Sequence, residues 1–197
     1  MPSIAAHMIC AKLVSNNMNI NDPEFIKGNL LPDIIDSNDS HHKIIGKHYY
    51  IPNIDYFIKT LNLNDNLYLG YLTHLLLDKY FLEDYIYDEV NGEEVFLNKI
   101  MYREYDIINY RLLNKFNIDV NYLNEILKDY KVPINQKKYN KNIDSLNLGD
   151  SEEKLRYLNV DSFSKFLIEA SNNIVEYLEE VKKDECKSSV PCYCLRK

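Results

Sequence analysis

The stretch from Asn66 to Tyr87 constrains this chain more than any other. It carries Leu67, Leu69, Tyr71, Leu72, Leu75, Leu76, Leu77 and Phe81, and so it is apolar almost all the way round. A helix without a polar face belongs in the centre of a helical fold, packed on every side. Two residues break that pattern. His74 and Asp78 stand four apart, a spacing that puts both on one helix face. Burying an ionised carboxylate costs several kcal/mol unless it is paired. The pair therefore has two readings: a His–Asp hydrogen bond inside the core, or two ligands to one metal ion.

The rest of the chain reads as further helices. Only 5 Gly and 6 Pro interrupt 197 residues, and strand-like alternation is scarce. Ser3 can cap a helix over roughly Ile4 to Ser15, whose apolar stripe is Ile4, Met8, Ala11 and Val14. The stretch from Asn16 to His48 reads as turn-rich, punctuated by Pro23, Gly28, Pro32 and Gly46. A short helix is expected over Ile54 to Leu61, a long one over Glu94 to Phe116 and a last amphipathic one over Ser162 to Val181. Lys131 to Glu153 is polar with little periodicity and reads as a long loop. The expectation is an all-α, single-domain helical bundle with a buried metal site, spanning residues 1–183. A tail over 184–197 follows, containing Cys186, Cys192 and Cys194.

Composition narrows the function. The net charge is -7, and no basic run is longer than Lys182-Lys183. A stable nucleic-acid partner is therefore not expected, because such binding draws on phosphate neutralisation. No apolar run is long enough for a transmembrane segment, and the N-terminus lacks the pattern of a secretory signal, so a cytoplasmic location is expected. The tail cysteines include no CxxC pair, and a reduced tail is the simplest reading. A glycine-rich phosphate loop and a GxSxG nucleophile motif are both missing.

More polar residues intrude where apolar ones belong. His7 sits on the apolar stripe of the first helix. Glu104 sits on the stripe of the long helix, one turn from Met101 and Ile108. Asp33 lies between Leu30-Leu31-Pro32 and Ile34-Ile35, and His41 and His42 follow in a polar turn. One such intrusion is ordinary. With the His74–Asp78 helix that makes five separate elements, and with no matching surplus of Arg or Lys in the core they point to shared ligation. A mixed histidine and carboxylate set suits zinc, manganese or iron.

The ordered set resembles the zinc-dependent phospholipase C superfamily, in its shorter intracellular bacterial branch. An opening Met-Pro-Ser leads to an early His7. A Gly-x-x-x-Pro-Asp turn is matched by Gly28 to Asp33, and a Ser-His pair by Ser40-His41. The helix motif Gly-Tyr-x-x-His-x-x-x-Asp runs from Gly70 to Asp78, and an acidic-x-x-x-x-Asn element from Glu104 to Asn109. These pieces cover roughly the first 110 residues.

The resemblance implies an all-helical fold and up to three zinc ions. It also implies phosphodiester hydrolysis by a metal-activated water, on a scaffold shared with single-strand nucleases. Its implied ligands are His7, Asp33, His41, His74, Asp78 and Glu104, with Asp33 bridging two ions and orienting the water. Departures reduce that set. The secreted lipases use their mature N-terminal residue as a ligand, whereas this chain begins with Met1. Asp84 stands where they carry a further His, and their final HxxxE pair is missing; Glu104 or Asp106 fills part of that gap. One or two zinc ions are therefore expected, and the expected substrate is a small-molecule or lipid phosphoester. Two alternatives stay open: a metalloenzyme, iron-dependent among the options, acting on a non-phosphate substrate, and a non-catalytic relic of the family.

Overall fold

A computed structural model describes residues 2–37, 39–46, 50–89, 100–127, 134–146, 149 and 155–188. Among them the protein is all-α: eight α-helices, one π-helical segment and a two-stranded hairpin. Ser3 caps α1 (Ile4–Asn17) by accepting the Ala6 N–H, as the sequence implies. Asp22 caps α2 (Pro23–Ile34), and Pro23 occupies its first turn, where a missing N–H costs nothing. Strands β1 (Lys43–Ile45) and β2 (Tyr50–Pro52) pair antiparallel. Then come α3 (Ile54–Thr60), capped by Asn53, and α4 (Asn66–Tyr80), capped by Asp65. Beyond Tyr80 the expected helix continues as a π-helix over Phe81–Glu89. The remaining helices are α5 (Ile100–Lys115), α6 (Val120–Leu127), α7 (Gln136–Leu146) and α8 (Val160–Ser188).

Three sequence expectations differ from the fold. The turn-rich stretch after α1 contains α2, whose interior holds both Gly28 and Pro32. Pro32 removes the N–H that would meet the Gly28 carbonyl, and α2 ends two residues later at Ile34. The polar segment read as a long loop contains α7. Tyr139, Ile143 and Leu146 stand at i, i+4 and i+7 on it, and that narrow stripe packs on Leu30, Ile34 and Leu113. The last helix is also longer than expected and runs through residue 184 to Ser188. The start of the expected long helix, Glu94 to Lys99, and Cys192 and Cys194 lie outside the described residues.

Helix α4 is central, touching α1, α2, α3, α8 and β2. Its closest neighbour is α2, and a pair of glycines explains why. A Cβ on Gly28 would lie 1.8 Å from the Leu67 carbonyl oxygen. A Cβ on Gly70 would lie 1.9 Å from that of Phe25. The two backbones thus meet through reciprocal glycines, a distance no side chain permits. Gly70, His74 and Asp78 form one i, i+4, i+8 row on α4, and Asn29 and Asp33 form an i, i+4 row on α2. The glycine contact therefore sets the distance between the rows that carry the polar cluster.

Candidate metal centre

Five of the six predicted residues converge: His7 from α1, Asp33 from α2, His41 from the turn before β1, and His74 and Asp78 from α4. His7, His74 and Asp78 are sealed from solvent, with side-chain exposures of 1, 0 and 0%. Asp33 and His41, at 19 and 11%, form the edge that reaches the surface.

The His74 ring is fixed from behind. Its Nδ1 lies 2.7 Å from the Asn29 carbonyl oxygen. A carbonyl only accepts, so Nδ1 carries the proton and Nε2 turns a lone pair into the cluster. That arrangement is the usual support of a metal-binding imidazole. Burial pushes the His74 pKa down to about 3, helped by neighbouring His7. His41 is held by the Ser40 hydroxyl, 3.0 Å from its Nδ1, while the Tyr71 hydroxyl donates to the Ser40 carbonyl. The His7 ring stacks on His74 with centroids 3.6 Å apart and planes 7° from parallel.

The distances are informative. His41 Nε2 is 3.3 Å from His74 Nε2 and 3.6 Å from both Asp33 Oδ1 and Asp78 Oδ2. Asp78 Oδ2 is 3.6 Å from His74 Nε2, and Asp78 Oδ1 is 3.4 Å from His7 Nε2. The contacts to Asp78 are too long for charge-assisted hydrogen bonds, which close to about 2.7–2.9 Å. They match the edges of a coordination polyhedron instead. Ligand atoms about 2.0–2.1 Å from a tetrahedral zinc stand roughly 3.3–3.4 Å apart. Neither oxygen of Asp78 and neither ring nitrogen of His7 has a hydrogen-bond partner. A His74–Asp78 hydrogen bond inside the core, the rival sequence reading, does not account for this, because the His74 proton goes to Asn29.

Two overlapping groups can each hold a metal ion: His7, His74 and Asp78, and Asp33, His41 and His74. The carboxylate whose two oxygens face both groups is Asp78 rather than Asp33. Burial opposes the charge on Asp33 and Asp78. The His74, His41 and His7 imidazoles outweigh it and hold both carboxyls below the usual range.

Glu104 is corrected as a site residue. One of its oxygens accepts the Arg156 N–H at 2.5 Å, and the other accepts those of Tyr157 and Leu158 at 2.9 and 2.8 Å. It satisfies a chain segment entering α8, so its place on an apolar stripe has a structural cause. Asp106, the other acid considered there, is half-buried with its carboxyl pKa raised by that burial. His42 lies outside the cluster, 3.6 Å from Asp39 and beside the Tyr56, Phe57 and Tyr71 rings. His48 lies outside the described residues.

Sequence reasoning missed Asn29. It is fully buried, and one orientation of its amide matches both ends: Nδ2 donates to the His7 carbonyl at 2.9 Å and Oδ1 accepts the His74 N–H at 3.2 Å. The opposite orientation offers a single long contact of 3.5 Å, to the Gly70 carbonyl. A neutral amide between Gly28 and Pro32 gives no local signal of such a role.

A cleft of about 480 Å³ opens elsewhere, between α1 and the residues around α6. Met8, Lys12, Ile26 and Tyr122 line it, and none of the five cluster residues does. The cluster's chemistry outweighs the cleft's size in locating a candidate site, because the cleft holds no comparable convergence of ligating atoms.

No family model, curated protein or solved structure matches this chain. Among the described residues, no helix is long and apolar enough to cross a membrane.

Proposed function

We propose that the chain is a divalent-metal-dependent hydrolase acting on a phosphoester, with zinc as the fitting ion. The observation that carries the metal part is the Asp78 carboxylate: sealed from water, bonded to nothing, and ringed by imidazole nitrogens at 3.4–3.6 Å. Left uncompensated, a buried charge of this kind costs several kcal/mol. The donor set of three imidazoles and two carboxylates is chemistry that zinc accepts. His74 can serve one ion only, because its Nδ1 is engaged by Asn29. His41, His74, Asp33 and Asp78 would hold one ion, and His7 with Asp78 would face a second.

A bound divalent cation would supply Lewis acidity toward a phosphoryl oxygen and acidify a coordinated water. The chain's own residues would do the rest. Asp33, at the solvent edge, would orient an incoming water. His41 stands beside it at the same edge, and the apolar residues of α1 and α4 would keep bulk water from Asp78. The phosphoester substrate rests on the resemblance in the motifs, not on a pocket shape.

The test is elemental analysis of the purified protein beside His74→Ala and Asp78→Ala variants, followed by phosphodiester and phosphomonoester hydrolysis. One or two equivalents of zinc, lost in both variants together with activity, is the expected result. A native protein that binds no metal after reconstitution sinks the proposal. One observation favours a second reading, a metal ion that staples the fold without catalysis: three of the five ligands are sealed, and only the Asp33–His41 edge meets solvent. That reading expects metal content with no hydrolysis of either substrate class.

A further inference from the structure

The three histidines are not held alike. His74 is fixed through its own Nδ1, and His41 through the Ser40 hydroxyl. The His7 ring makes no hydrogen bond at all. Its position depends on packing against His74, on Asp78 Oδ1 at 3.4 Å from its Nε2 and on where α1 places its backbone. The polar link between that backbone and the α4 row runs through the buried side chain of Asn29. This amide takes the His74 N–H and gives its own N–H to the His7 carbonyl. One residue thus touches both partners of the stacked imidazole pair, and its own carbonyl receives the His74 ring proton.

We propose that Asn29 is a positioning residue that holds His7 in register with His74 and thereby creates the ion position facing His7. The inference rests on the metal reading above for the ion, but not for the ring geometry. Its consequence is selective. Removing the Asn29 side chain releases the α1 backbone from α4. The Asn29 carbonyl that orients His74 persists in any variant, and the Ser40 and Tyr71 supports of His41 are untouched. The His7 ion should weaken while the ion held by Asp33, His41 and His74 stays.

The test uses Asn29→Leu, which keeps the side chain's size and removes its hydrogen bonds, with Asn29→Ser as a smaller alternative should the first fail to fold. Two readouts are taken. In metal-free protein with labelled histidines, nuclear magnetic resonance follows ring-to-ring contacts. The His7–His74 contact should disappear and the His41–His74 contact should remain. In zinc titrations with a competing chelator, the weaker-held ion should lose about 10–100-fold in affinity, the range typical of supporting residues around metal ligands. The second ion should change by less than about 3-fold. A His7→Ala background should abolish the effect of Asn29→Leu on zinc. Persistence of the His7–His74 contact in the variants overturns the proposal, and so does equal weakening of both ions, which would mark Asn29 as a general structural residue. A native protein that binds no zinc defeats the metal reading instead, and the ring contacts alone then decide the role of Asn29.

Discussion

His74 shows how a single proton assignment organises a site. With Nδ1–H given to the Asn29 carbonyl, the ring is neutral in the fold and its pKa lies near 3. The unfolded chain binds a proton at that ring near pH 6.5. Between those values the unfolded state holds more protons than the native state, so stability falls as pH falls. Asp33 and Asp78, also held low, extend the loss further into acid. In chelator-treated protein, the melting temperature should therefore drop steadily from about pH 6.5 toward pH 3. A flat profile over that window would contradict the assignment.

Glu104 belongs to the same scale and teaches the opposite lesson. Its sequence signal, an acid on an apolar stripe, is identical to that of a ligand. What neutralises it is a trio of backbone amides from residues 156–158, which no local pattern announces. Glu104→Ala should cost on the order of 3 kcal/mol in urea unfolding, because buried amides lose their acceptor, and should leave zinc content intact. His7, Asp33, His74 and Asp78 were legible because each interrupts apolar surroundings, whereas His41, in a polar turn, was singled out by the Ser40-His41 pair of the resemblance. Asn29 was not, because a neutral amide in a glycine- and proline-marked stretch interrupts nothing.

Among the elements, those with broad apolar stripes were readable from sequence. The first helix and the short third helix lie close to their expected bounds, and central α4 begins where expected but passes into π-helix at Phe81. The missed ones, α2 and α7, are helices whose stability comes from tertiary contact. In α2 the residues that suggest punctuation do separate jobs: Pro23 opens the helix, Gly28 lets it touch α4 and Pro32 precedes its end. In α7 a three-residue stripe suffices because its partners are already assembled. The sharpest prediction at this scale concerns the crossing. Gly28→Ala or Gly70→Ala would drive a methyl group into a carbonyl oxygen below 2 Å, and backbone cannot step aside as a side chain can. Each substitution should destabilise the protein by about 3 kcal/mol or more, read by denaturant unfolding. Each should also weaken zinc, since the α2 and α4 rows would move apart.

For the molecule as a whole, the cluster joins α1, α2, α4 and the turn leading into the hairpin. An ion held there would tie together segments distant in sequence. Ligand at one hundred times its dissociation constant adds about 2.7 kcal/mol to the native state. For a chain of this size that corresponds to a rise of about 5–10 °C in melting temperature. Calorimetry with and without zinc should show this shift in the native protein and not in Asp78→Ala.

The sealing of His7, His74 and Asp78 behind a narrow edge of Asp33 and His41 also bears on time. An ion facing His7, behind that edge, would leave through an opening of the structure and not by stepping directly into solvent. Exchange with the medium is then paced by local unfolding, a process that extends from microseconds to seconds and beyond. A strong chelator should strip the protein at a rate that saturates with chelator concentration, and mild denaturant should accelerate it. A metal recovered after purification would then reflect the ion present while the chain folded as much as any later buffer.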